Sequence, residues 1–217
     1  MYAKYIKRIL DFTLSLLALI VLAIPMLIIY ILVRIKLGKP AIFKQQRPGK
    51  DEKIFTLYKF RTMTDARDKE GNLLPDSERL TKFGKMLRST SLDELPELVN
   101  ILKGDMAIVG PRPQLIRDMV FMTNEQRKRH SVRQGLTGLA QINGRNNITW
   151  EEKIDYDLQY IKSITFISDL KIVLKTIEKV FRKEDIATEG MDTAEDLCDY
   201  LLRTNKITEE EYKSKIQ

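Results

Sequence analysis

Two carboxylates stand side by side in the segment Arg88-Ser-Thr-Ser-Leu-Asp-Glu-Leu-Pro-Glu-Leu, residues 88–98. A carboxylate can accept a phosphoryl group and form an acyl phosphate when a divalent cation and nearby cations screen the phosphate charge. Asp93 and Glu94 are the candidates for that chemistry, with Arg88 at the start of the same segment. The same spelling also has a plainer reading. Ser91-x-x-Glu94 matches a capping box, and both acids complement the positive end of a helix dipole. Pro96 is compatible with a first helical turn, whose amide donors lack intrahelical partners. Two adjacent acids exceed what one cap requires, and free helix amides beside Arg88 make an anion site.

Two further segments carry candidate binding groups. In Gly104-Asp-Met-Ala-Ile-Val-Gly-Pro-Arg-Pro, residues 104–113, prolines on both sides restrict Arg112 and keep it out of a helix interior. A fixed guanidinium fork suits bidentate phosphate recognition; an ordinary surface arginine in a turn is the alternative. In Gly135-Leu-Thr-Gly-Leu-Ala-Gln-Ile-Asn-Gly-Arg-Asn, residues 135–146, three glycines, the amide of Gln141 and Arg145 can let backbone approach a nucleotide or sugar. Neither G-x-x-x-x-G-K-[ST] nor G-x-G-x-x-G occurs, which removes P-loop and Rossmann readings.

Composition narrows the classes further. A single histidine, His130, argues against a Ser-His-Asp or His-ligated zinc mechanism, and a single cysteine, Cys198, excludes a disulfide framework. The net charge is +7, but it is unevenly placed. Residues 1–50 carry +8 around an apolar run, and residues 184–217 carry −6. Anionic lipid headgroups attract the first cluster, while the middle of the chain lacks the cation stripe and interleaved aromatics of a nucleic-acid binder.

Those groups need elements to position them. Residues 12–33 are almost wholly apolar, long enough to cross a bilayer as one helix. Pro25 lies mid-run, where it removes a hydrogen bond to the carbonyl of Val21 and bends the helix. Cations flank both ends, so charge gives no reason to send either end across. Composition alone favours a kinked single span; the alternative is a helix that enters one leaflet, breaks at Pro25 and returns. Short strands are expected at 41–43 and 53–60, helices at 79–88, 92–103 and 114–130, and a short strand at 106–109. Residues 132–149 read as a loop-and-strand region, and 151–162 and 169–183 as helices. The last of these carries Leu170, Val173, Leu174, Ile177, Val180 and Phe181 on one stripe, facing either a core or a membrane interface. In the acidic tail, Thr193 and Thr208 resemble caps for two short helices, with Leu197, Leu201, Ile207, Tyr212 and Ile216 able to pack as a hairpin.

Six motifs in order resemble the monotopic phosphoglycosyl transferases, or bacterial sugar transferase family, most closely its small PglC-type members. They are Tyr5-Ile-Lys-Arg, Phe43-Lys-Gln-Gln-Arg-Pro-Gly, Tyr58-Lys-Phe-Arg-Thr-Met, Ser91-Leu-Asp-Glu-Leu-Pro, Gly104-Asp-Met through Val109-Gly-Pro-Arg-Pro, and Arg133-Gln-Gly-Leu-Thr-Gly-Leu-Ala-Gln-Ile-Asn-Gly-Arg. The resemblance implies an α/β fold, mostly α with short strands, membrane-associated through a re-entrant N-terminal helix and amphipathic interface helices. It reverses the preference for a full span.

The resemblance also implies that Asp93 attacks the β-phosphate of a UDP-sugar, expelling UMP, with Mg2+ bound near Asp93 and Glu94. Glu94 would bind metal or handle a proton. Polyprenyl phosphate would then take the sugar-phosphate at the cytoplasmic face of a bacterial inner membrane, the first membrane step of glycoconjugate assembly. Lys59, Arg88, Arg112, Gln141 and Arg145 would bind substrate, and Asp157 would support the site. The chain divides into a membrane helix at 1–37, a catalytic domain at 38–185 and an acidic appendage at 186–217 suited to self-association. Two departures stand out: Ile24 precedes Pro25 where small family members often have Ser, and the tail lies beyond the shared region. The rival from another class is a catalytically inactive membrane scaffold of the same fold whose carboxylates only cap a helix.

Overall fold

The computed structural model describes residues 1–144, 147–182 and 195–216. A π-helical turn, Tyr2–Ile6, leads into α1 (Lys7–Val21), and α2 (Ala23–Lys36) follows at a 65° bend. The bend falls at Leu22, with φ −90° and ψ 4°, and not at Pro25 as expected from the sequence. The reason is local. The proline ring excludes the carbonyl four residues earlier, that of Val21, so the ladder fails upstream of Pro25. Pro25 then sits in the first turn of α2, where no amide donor is missed.

Next come β1 (Ile42–Pro48) and β2 (Ile54–Phe60), an antiparallel hairpin in register from Ile42 opposite Phe60 to Pro48 opposite Ile54. Short α3 (Asp76–Arg79) and α4 (Lys82–Ser89) follow, with the Thr81 hydroxyl accepting the Gly84 N–H. The helix expected over 92–103 is split into a 3-10 turn, Leu92–Glu94, and α5 (Glu97–Lys103). Pro96 separates the two because it cannot donate into a continuous ladder. β3 (Met106–Val109) pairs in parallel with β4 (Gln134–Thr137). Between them the helix expected over 114–130 is broken into a 3-10 turn (Ile116–Phe121), α6 (Asn124–Arg127) and a second 3-10 turn (Lys128–Ser131). Thr123 is the cause: it forms a capping box with Gln126 and restarts the helix. Short α7 (Leu139–Ile142) leads to α8 (Trp150–Lys162), α9 (Phe166–Arg182), α10 (Leu197–Arg203) and α11 (Glu209–Ile216). The fold is thus mostly helical with short strands.

Both arms of the bent pair pack on the domain through one face. Ile29, Val33 and Leu37 join Ala41, Phe60 and Leu87, while Ala18, Leu19 and Leu22 join Leu57, Leu98, Ile101 and Met106. Their other faces are bare: Ile20 and Ile24, on either side of the bend, are 65% and 72% exposed. No single helix among the described residues is long and apolar enough to cross a membrane, but this bent pair together meets that test.

In α9 the residues facing inward are Asp169, Ile172, Val173 and Thr176. Leu170, Leu174 and Ile177 face outward, joined by Phe166 and Ile167. The core-facing reading of that apolar stripe holds for Val173 but not for Leu170, Leu174 and Ile177, because Asp169, Ile172 and Thr176 share the buried side with Val173. Of the tail, Thr193 lies outside the described residues. Thr208 does accept the Glu211 N–H. α10 docks on the same chain, with Leu197 among Met122 and Trp150, and Arg117 paired to Asp196 and Asp199.

A buried polar knot fixes the start of the bent pair. Asp169 accepts hydrogen bonds from Tyr2 Oη (2.7 Å), Lys7 Nζ (2.7 Å) and Tyr160 Oη (2.9 Å). Asp11, also buried, accepts the Ile108 N–H of β3. Arg8 donates to the carbonyls of Ile101 and Leu102, and Arg133 to that of Gly104, so cations close the C-terminus of α5. Asp169→Asn removes the charged acceptor for three donors and leaves Lys7 with only Asp11 nearby, at 3.9 Å. The expected cost is about 2–4 kcal/mol, read as a lower unfolding temperature and faster tryptic cleavage at Lys7 and Arg8 in detergent. Unchanged values of both would show that the knot does not hold the helix.

Candidate active site

The site forms where the 3-10 turn Leu92–Glu94 and the first turn of α5 meet β2. β2 has β1 on one edge; on the other, Asn100 of α5 takes the place of a third strand. Its Oδ1 accepts the Tyr58 N–H (3.1 Å) and its Nδ2 donates to the Thr56 carbonyl (2.7 Å). An edge strand's backbone groups need partners when buried, so this side chain sets the height of α5 against β2. Lys59 is thereby held opposite the acids at the helix start.

Lys59 Nζ lies 2.9 Å from Glu94 Oε1 and 3.1 Å from Glu97 Oε1. Arg112 Nη2 reaches the same Glu94 Oε1 at 2.6 Å. The expected capping box is not formed. Ser91 adopts φ 55°, its side chain caps nothing, and Glu94 turns instead to the two cations. Asp93 differs from its neighbour: it is buried, and its carboxylate makes no hydrogen bond or ion pair among the described residues. Arg88, whose Nε donates to Thr62 Oγ1, contributes a favourable field at Asp93.

Electrostatics separates the acids. Burial, then the Glu94 charge, pushes Asp93 up to about 6 against the pull of Lys59, Arg112 and Arg88. Burial also pushes Glu94 upward, but Arg112 and Lys59 outweigh it and hold it well below the usual carboxylate range. Burial pushes Glu97 up to about 7, with Lys59 opposing and Glu94 adding. The two cations thus favour the charged form of Glu94, whereas burial disfavours the charge on Asp93 and Glu97.

Behind the site, Asp157 Oδ2 accepts from Arg129 Nε (2.9 Å) and Nη2 (2.7 Å), and Nη2 also donates to the Arg112 carbonyl (2.7 Å). Asp157 thus acts on the site at one remove, through a fully buried arginine that holds the turn carrying Arg112. The glycine-spaced segment packs closely against the turn after β3. A Cβ on Gly135 would lie 2.1 Å from the Gly110 nitrogen, and one on Gly138 would lie 2.2 Å from the Gly110 oxygen. These glycines let the backbone after β3 approach β4 and the turn that follows it closely. Gln141 is buried beside that approach, with neither amide atom partnered among the described residues. Arg145 lies outside the described residues.

The structure brings Lys59, Asp93, Glu94 and Arg112 together, with Arg88 in reach. Sequence reasoning missed Glu97, Arg129, Arg47 and Lys153. Arg47 is lowered to about 10 by burial and then by Arg112; Lys153 is lowered by the same two causes, burial first. Arg47 and Lys153 thus both lie within electrostatic reach of Arg112, and cations that depress one another in this way favour an anion among them. The signal for Glu97 was its spacing three residues after Glu94 between apolar neighbours.

No group of three or more acids, histidines or cysteines is arranged to hold a metal among the described residues. Mg2+ needs only one or two carboxylates when substrate phosphates and water complete its octahedron. Asp93, unpaired, fits that demand; Glu94 Oε1 is already taken twice.

Residues 2–183 match the bacterial sugar transferase family. The chain is 50% identical over 190 residues to the sugar transferase EpsL of Bacillus subtilis, covering 88% of this chain and 94% of that one. It is 42% identical over 190 residues to a UDP-glucose:undecaprenyl-phosphate glucose-1-phosphate transferase of Klebsiella pneumoniae, and 34% over 200 residues to an undecaprenyl-phosphate galactose phosphotransferase of Salmonella typhimurium. These alignments cover 81% and 84% of this chain but only 40% and 42% of those two relatives. The chain belongs to the bacterial sugar transferase family.

A carboxylate raised from 3.8 to about 6 destabilises the fold as it ionises. The penalty is absent below the unfolded value and complete above pH 6. Asp93→Asn is therefore expected to stabilise the protein by roughly 1–3 kcal/mol at pH 7.5, with the gain vanishing near pH 4. Thermal unfolding at both pH values checks this. A loss of stability at pH 7.5 would mean that the Asp93 charge supports the fold.

Proposed function

We propose that the protein transfers a sugar-1-phosphate from a UDP-sugar to undecaprenyl phosphate, through a covalent intermediate on Asp93. The observation that carries this reading is the contrast within the acidic pair: Glu94 is neutralised by two cations while Asp93 is left uncommitted beside them. Family membership supports the reaction class, and the names of the Klebsiella and Salmonella relatives support the acceptor.

An oxygen of Asp93 attacks the β-phosphorus of the UDP-sugar. The bond from that phosphorus to the bridging oxygen breaks, and UMP leaves with the electron pair. A phosphate oxygen of undecaprenyl phosphate then attacks the same phosphorus; the Asp93–phosphorus bond breaks, giving the diphosphate-linked sugar and the free carboxylate. Arg112, Arg47, Lys153 and Arg88 hold the donor's phosphates and stabilise charge on the departing UMP. Lys59 keeps Glu94 and Glu97 in place, so that a third acid does not compete for the phosphate. Asp93 would hold Mg2+ when it is bound, and the ion would supply Lewis-acid stabilisation of the charge developing on the donor's phosphates.

The membrane reading rests on the bent pair and on α9. The bare apolar faces of α1 and α2 enter one leaflet and return, on the cytoplasmic side of a bacterial inner membrane, while Phe166, Ile167, Leu170, Leu174 and Ile177 lie in the interface.

Purified protein incubated with undecaprenyl phosphate, Mg2+ and a panel of UDP-sugars is expected to release UMP with at least one donor, and Asp93→Asn to release none. Equal release by that variant would remove Asp93 from the chemistry. In sealed vesicles, tags before Met1 and after Gln217 are expected to be cleaved from the same side. Cleavage from opposite sides would replace the re-entrant pair with a span.

A further inference from the structure

An open groove of about 920 Å³ runs between α2, the β1–β2 hairpin and α5, in the upper range for a ligand pocket. Tyr30, Ala41, Phe60 and Val99 give it an apolar lining. One wall continues into the bilayer-facing surface of α2, since Leu27 lines the groove and is also 58% exposed. Around this lining stand Arg34, Lys39, Lys44 and Lys103, none of them paired with a carboxylate among the described residues. Lys103 instead lies over the Tyr58 ring and donates to its hydroxyl.

An apolar trough with four cations that no carboxylate neutralises among the described residues asks for an amphiphile with an anionic head. Tyr58 and Phe60 alternate with Lys59, so the groove occupies the face of β2 opposite the carboxylate cluster. The two meet at the edge of the hairpin, where Pro96 lines the groove, next to Glu97 in the chain and two residues after Glu94. A ligand lying in the trough can turn its head around Pro96 toward Asp93 while its tail stays with α2.

We propose that this groove binds the first isoprene units of the polyprenyl phosphate acceptor, with Lys44 and Lys103 drawing its phosphate in from the membrane. The assignment rests on the acceptor named in the proposed function. It separates the two substrates in space: the donor's phosphates lie with Arg112, Arg47 and Lys153 on one side of β2, and the acceptor enters from the other. Bulk anionic phospholipid is the competing occupant, because exposed cations beside a bilayer attract any such headgroup.

The full-length protein, carrying photoreactive benzoylphenylalanine in place of Val99, is placed in nanodiscs of phosphatidylglycerol and phosphatidylethanolamine with a few mole per cent undecaprenyl phosphate. Irradiation is expected to crosslink undecaprenyl phosphate far above its share of the lipid. Adducts to phospholipid in proportion to abundance would overturn the assignment. Independently, the double variant Lys44→Glu/Lys103→Glu is expected to raise KM for undecaprenyl phosphate at least tenfold with less than a twofold change in KM for the donor. Equal changes in both, or none, would also overturn it. Wild-type release of UMP tests the reaction itself, so a groove that collects only phospholipid in an active enzyme refutes the groove alone. Crosslinking, in turn, needs no turnover and reports on the groove even where no donor is consumed.

Discussion

Lys59 and Arg112 converge on a single oxygen of Glu94, and that shared ion pair sets the character of every other group nearby. With Glu94 neutralised and fixed, the adjacent Asp93 cannot take either cation for itself. It remains buried, without an ion pair among the described residues, and harder to ionise than an ordinary aspartate. A carboxylate in that condition gains more than usual from meeting a metal-bound phosphate, because the ligand supplies the screening that the protein withholds. The same condition is a standing cost to the fold, which is the usual relation between a reactive site and stability.

The rest of the molecule serves this arrangement. Asn100 fixes the height of α5 against β2 and so places Lys59 over Glu94 and Glu97. Asp157 and Arg129 carry no reacting atom, yet they hold the backbone of Arg112 from beneath. Arg8 and Arg133 close the far end of α5, and because Arg8 belongs to α1 the site is tied directly to the bent helix pair. In the proposed function, that tie brings the turn carrying Asp93 to the membrane surface where the bent pair would enter one leaflet.

Much of this was legible in the sequence, and the failures have physical causes. β2, β3 and α8 follow from alternation, period and punctuation, whereas the first strand was expected only to residue 43 although β1 runs to Pro48, and the pairing of Asp93 with Glu94 was visible by adjacency alone. Pro25 announced a break but not on which side, since the proline clashes four residues upstream and the bend falls at Leu22. Thr123 and Pro96 divided helices that apolar period alone would have joined. The stripe on α9 was ambiguous because an apolar face reads the same whether it meets a core or a bilayer. Glu97 resembled an ordinary first-turn acid, and Arg129 gave no local hint, because its partner lies 28 residues away. The glycines near β4 suggested a ligand loop because close approach to backbone and close approach to a phosphate require the same missing Cβ.

The central claim is that Asp93 becomes covalently phosphorylated by the donor. The most direct measurement incubates the protein with Mg2+ and a UDP-sugar that it uses, without acceptor, quenches rapidly and maps peptides by mass spectrometry. The account predicts one sugar-phosphate adduct on the peptide containing Asp93, removed by hydroxylamine and absent when undecaprenyl phosphate is added before the quench. UMP formed only in the presence of acceptor, with no adduct on that peptide, would contradict it and establish a direct transfer between the two substrates.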